Sequence, residues 1–77
     1  MEKFENNSKV EILDGDKVIG EVTVIRSSEN TLVVKNKLAN EESEFRFIEK
    51  FWYLIYEGLG GEKCHNKKFP YSLRVTT

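Results

Sequence analysis

The sequence predicts an α+β fold: an antiparallel β-meander of three strands, one amphipathic helix and a closing C-terminal strand, in a single small globular domain over residues 1–77. Three observations carry this reading. Asp14-Gly15-Asp16 stands between two runs rich in Val and Ile, and Gly15 can take the positive φ that a tight β-hairpin demands. Residues 44–59 hold the only tryptophan and most of the aromatic bulk, and on a helical wheel their polar residues gather on one arc. At the C-terminus Tyr71, Leu73 and Val75 alternate with Ser72, Arg74 and Thr76, the period of a half-buried strand.

The first two strands are expected over residues 9–13 and 17–26. In the second, Val18, Val22 and Val24 are expected on one face with Gly20, and Ile19 and Ile25 on the other. Gly20 leaves a gap in the inward row and marks a bulge or a close approach by another element. Ser27-Ser28-Glu29-Asn30 turns the chain into a third strand over residues 31–37, followed by a polar connection over 38–43.

In the central stretch Arg46, Glu49, Lys50, Tyr53 and Glu57 share the polar arc of the wheel, and Phe47, Ile48, Phe51, Trp52, Leu54, Ile55 and Leu59 fill the rest. Gly58 stands where the left-handed residue after a helix would, with Leu59 packing back on the last turn. Asn40 or Ser43 would cap the N-terminus, where Glu41, Glu42 and Glu44 suit the positive end of the dipole. The competing reading makes two strands of residues 43–48 and 51–57, because Phe, Trp, Tyr and Ile favour strands. A turn at Glu49-Lys50, however, would contain no Gly, Asn, Asp or Pro. With two strands here the chain would be an all-β small SH3-like barrel, an architecture offered by analogy with no family motif behind it.

A chain of 77 residues buries about 60 to 65% of its unfolded surface and holds a few kcal/mol of stability. Met1 to Ser8 contains acids and no apolar core, unlike a signal or transit peptide, and the apolar run at 51–56 is too short to span a bilayer. With one cysteine, Cys64, a soluble cytoplasmic protein is expected. Residues 1–44 carry ten acids and six bases, residues 45–77 three acids and six bases. This mild charge asymmetry falls short of the basic excess of a dedicated DNA binder.

No catalytic signature stands out, and an enzyme is not expected. Cys64 and His65 are adjacent in an extended segment and point to opposite sides, where they cannot act as nucleophile and base. They are also too few to hold zinc, so neither a metal nor another cofactor is expected. Gly58-Leu59-Gly60-Gly61-Glu62-Lys63 lacks the Lys-Ser/Thr pair and the following helix of a phosphate-binding loop. Asp14, Asp16, Glu41, Glu42 and Glu44 sit where turns and helix starts recruit acids.

Function is therefore expected from surface binding. A chain this short has difficulty burying all the aromatics of its central stretch, and the surplus would form a protein-binding patch with Trp52, Tyr53 and Tyr56 as candidate residues. Such a patch suits a small accessory or inhibitor protein that modulates a larger partner, and it would also serve self-association. The alternative is nucleic acid, RNA or single-stranded DNA, bound by the basic and aromatic strip of Lys63, Lys67, Lys68, Phe69, Tyr71 and Arg74.

Overall fold

Seven antiparallel strands make up the computed structural model, which describes residues 4 to 36 and 41 to 76: β1 (Lys9–Asp14), β2 (Lys17–Ser27), β3 (Thr31–Asn36), β4 (Glu41–Ile48), β5 (Phe51–Glu57), β6 (Lys63–His65) and β7 (Ser72–Val75). They form one sheet in the order β6-β5-β4-β3-β2-β1-β7. The described residues contain no helix, so the fold is all-β and the expected α+β class is overturned.

The correction falls on residues 44–58, which form the β4–β5 hairpin. Phe45 pairs with Leu54, Arg46 with Tyr53, Phe47 with Trp52 and Ile48 with Phe51, leaving Glu49-Lys50 as a two-residue turn. Glu49 has φ 61° while Lys50 has no positive φ, the sign pattern of a II′ turn made without the usual glycine. Holding a side chain in that region costs roughly 1 kcal/mol. Burial of Phe45 and Trp52, at 4% and 6% exposure, offsets it several-fold. The helix signals at either end dissolve with the helix. Ser43 lies inside β4 opposite Val34, and Asn40 is outside the described residues. Gly58 has no positive φ, and Leu59 is fully exposed instead of packing back. Residues 58–62 are the β5–β6 turn, closed by bonds from the Gly58 amide to the Glu62 carbonyl (2.7 Å) and from the Gly61 amide to the Gly58 carbonyl (3.0 Å).

The opening hairpin matches its sequence signal. Asp14 pairs with Lys17 around Gly15-Asp16, and Gly15 has φ 62°. Gly20 does mark a bulge: Ile12 pairs with Gly20 and Leu13 with Val18, so Ile19 is the extra residue. No neighbour lies within 4 Å of where a Cβ on Gly20 would stand, which removes the close-approach reading. The slip also moves side chains between faces. Ile19 joins Ile12 and Val22 on the concave side, contrary to strict alternation, although it stays 49% exposed, and Val18 is 43% exposed. A second slip at Ile25 lets the long β2 bend, pairing first with β1 and then with β3. The described part of the third strand ends at Asn36, with residues 37–40 outside the described set.

The sheet curls until β5 meets the approach to β7. Trp52 and Tyr71 form an isolated antiparallel bridge, and β7 continues along β1 with Leu73 opposite Ile12. The SH3-like barrel alternative is thus met only in part: the chain is all-β and curled, but one bridge, not a full strand pairing, joins β5 to the approach to β7. Val10, Val24, Leu32 and Val34 are essentially fully buried on the concave face, packed with Phe45, Trp52 and Leu73. Phe4 covers this core from the N-terminal segment, its ring edge-on to Trp52 at 5.7 Å. Asn7 and Ser8 fasten that segment through hydrogen bonds with the Val24 backbone, and the Ser27 hydroxyl donates to the Phe4 carbonyl at 2.6 Å.

Candidate functional site

Two pairings along one edge of β5 create the most distinctive feature of the surface. Ile55 is opposite His65 and Trp52 is opposite Tyr71. Between these points β5 has only Tyr53 and Leu54, whereas the facing chain has the five residues 66–70. The excess must bow away from the sheet. It does so as a turn in which the Phe69 amide donates to the Asn66 carbonyl (3.1 Å) and the Lys68 amide to the Asn66 Oδ1 (3.0 Å). Pro70, which has no amide hydrogen to satisfy, leads back to the sheet.

The bowed segment leaves an open depression of about 210 Å³ lined by Leu54, Tyr56, Asn66, Phe69 and Tyr71. Tyr71 is held by its backbone bonds to Trp52 and by edge-to-face packing on Phe45 at 6.2 Å. Leu54 and Tyr71 also border a second depression of similar size, which reaches over Phe45 and Val34 to Ile12 and Ile19. Together they form an apolar groove whose rim keeps Leu54, Tyr56 and Phe69 between 42% and 54% exposed. Large apolar side chains left in contact with water in this way usually mark a binding surface.

The opposite face of the hairpin is mixed, with Phe51 41% exposed beside charged groups. Tyr53 packs on the His65 ring at 5.1 Å. Nearby, Glu44 accepts from Lys63 Nζ at 2.8 Å and lies 3.5 Å from Arg46. The Lys63 hydrogen bond lowers the Glu44 pKa; partial burial opposes this, and the charges of Lys63 and Arg46 add to the lowering.

The predicted site residues are distributed by strand alternation. Trp52 is a buried core residue, Tyr53 lies on the outer face, and Tyr56 is on the Trp52 side at the groove. From the basic strip, Phe69 and Tyr71 join Tyr56 in the groove, and Lys67 and Lys68 stand exposed on the bowed segment. Lys63 is tied to Glu44, and Arg74 to Glu11 by a 2.6 Å contact. Thus Tyr56, from the expected protein-binding patch, comes together with Phe69 and Tyr71, from the basic strip, while Trp52, Tyr53, Lys63 and Arg74 lie elsewhere. Leu54, Asn66 and Ile19 were missed by sequence reasoning. A period-two reading of 51–57 would have placed Leu54 beside Trp52 and Tyr56, whereas the helical wheel concealed that row.

Cys64 and His65 face opposite sides of β6, with Cys64 Sγ 3.8 Å from the Glu62 carbonyl. Among the described residues no three His, Cys, Asp or Glu side chains gather as a metal site, and no helix is long and apolar enough to cross a membrane. Comparison of the chain with protein-family models, curated proteins and solved structures finds no match in any of the three.

Proposed function

We propose that this chain is a non-enzymatic protein-binding module, an accessory or inhibitor protein that modulates a larger partner through the Leu54–Tyr56–Phe69–Tyr71 groove. The observation that carries the proposal is the exposure of Leu54, Tyr56 and Phe69 around a preformed depression. Aromatic anchors in such settings supply much of the energy of protein interfaces. The cytoplasm is the proposed compartment, in keeping with the single free cysteine.

Nucleic acid is the second reading, favoured by the exposed Phe69 beside Lys67 and Lys68. It is weakened because two of the four basic side chains in that strip, Lys63 and Arg74, already face carboxylates. The test is affinity capture by the tagged chain, with and without nuclease, using the parent and a Tyr56→Ala/Phe69→Ala variant. The expected result is one stoichiometric protein band that survives nuclease and disappears with the variant. Nucleic acid eluting with the chain, and partners lost after nuclease, would overturn the proposal.

A further inference from the structure

Resting on the groove reading above, the shape of the partner can be narrowed. The β5 edge at the groove is already taken by this chain on both sides of Leu54: Trp52 exchanges both backbone hydrogen bonds with Tyr71, and Tyr56 pairs with Cys64. An incoming extended segment has no open edge to pair with there. Backbone N–H and C=O groups carried unpaired into an apolar groove give up their hydrogen bonds to water and gain none. The occupant must therefore arrive with its backbone already satisfied, as a helix does, and bind through its side chains.

The groove offers two places for such side chains. Each depression is about 210 Å³, less than the usual small-molecule pocket and suited to one large side chain, and Leu54 and Tyr71 line both. One is floored by the buried Val22, Val34 and Phe45 and has Ile19, 49% exposed, at its rim; the other has Tyr56 and Phe69. Residues three or four apart on a helix lie on one face, about 5–6 Å from each other, and so reach adjoining depressions together. The bowed segment adds charge of one sign, because Lys67 and Lys68 are exposed beside Phe69 and neither forms an ion pair among the described residues. We infer that the groove binds an amphipathic helix of another protein, with two apolar side chains one turn apart in the two depressions and carboxylates flanking them toward Lys67 and Lys68.

A display library of random peptides of about sixteen residues, roughly four helical turns, selected on the immobilised full chain, tests this, with a ten-residue oligouridine as the competing probe. The expected winners carry apolar residues three or four apart, flanked by Asp or Glu. A resynthesised winner should gain helical circular dichroism on binding, and a proline between its two apolar anchors should weaken it at least about tenfold. Ile19→Ser, at the far depression, and Lys67→Glu/Lys68→Glu should each weaken it by about tenfold. Winners with apolar residues in strict alternation, winners without acidic bias, or binding indifferent to the proline or to Ile19→Ser overturn the inference. If such winners still require Tyr56 and Phe69, the groove reading survives; if Tyr56→Ala/Phe69→Ala binds them equally well, that reading falls too. An empty selection also overturns the inference, and oligouridine binding lost in the charge-reversed variant would then assign the bowed segment to nucleic acid.

Discussion

Trp52 and Tyr71 exchange two backbone hydrogen bonds, from the Trp52 N–H to the Tyr71 carbonyl at 2.9 Å and from the Tyr71 N–H to the Trp52 carbonyl at 2.8 Å. This one pair joins β5 to the approach to β7 and so holds the curled sheet together. It also sets the length mismatch that opens the groove, because the chain between His65 and Tyr71 is longer than the stretch of β5 it faces. Core and candidate site therefore share a boundary, with the Trp52 side chain on one side and the Tyr71 ring on the other.

Trp52→Ala should unfold the chain. The indole contacts Phe4 and Phe47 and is 6% exposed, and removing a buried aromatic of this size costs about 3–5 kcal/mol. That matches or exceeds the stability of a domain this small. Circular dichroism without denaturant should show loss of the folded signal, while Trp52→Phe should keep a cooperative urea transition at a lower midpoint.

Glu49→Gly should raise stability by about 0.5–1 kcal/mol, since glycine occupies the positive φ at this turn without strain. The sign is diagnostic. In the interior of a helix over 44–58 the same change would lower stability by about 1 kcal/mol. Urea denaturation with an unchanged m-value reads the direction, and Glu49→Pro should destabilise because its φ is locked near −65°.

Acid should weaken the fold through Glu44. Its pKa in the folded chain is lowered, chiefly by the Lys63 hydrogen bond, so its contribution is present above the unfolded-state carboxylate pKa and is lost as pH falls through the lower folded value. The Lys63 side chain is 56% exposed, which limits the pair to at most about 1 kcal/mol and makes it salt-sensitive. Comparing urea midpoints of the parent and Glu44→Gln between pH 7 and pH 3 should show a stability difference at neutral pH that closes on acidification.

Tyr56→Ser and Phe69→Ser should leave stability within about 0.5 kcal/mol, because both side chains are more than half exposed. The native chain should bind a hydrophobic dye such as ANS in the groove, and the double variant should bind less. Unchanged dye fluorescence would count against a groove accessible to ligands.

Part of this structure is legible in local chemistry. Gly15 between two acids marks the first hairpin, Gly20 marks the bulge, and the alternation around Leu73 marks the last strand, because each depends on residues close in sequence. Tyr56, Phe69 and Tyr71 are recognisable individually as aromatics short of burial partners. Their convergence is not, nor is the role of Leu54.

Residues 44–58 show where local chemistry runs out. Their polar residues fall on one arc at a helical period, and their aromatics suit a strand, so the segment supports two structures. Pairing decides between them: Leu32 meets Phe45 across β3 and β4, and Trp52 meets Tyr71 across the curled edge, contacts that a helix could not supply. The sequence by itself determined that the chain would be a small domain short of apolar partners, with a tight first hairpin and a half-buried last strand. Only the tertiary structure decided that the aromatic stretch is a hairpin and that a slot opens at Leu54. Both depend on the registers of residues distant in the chain, and a register set by such partners leaves no local periodicity to read.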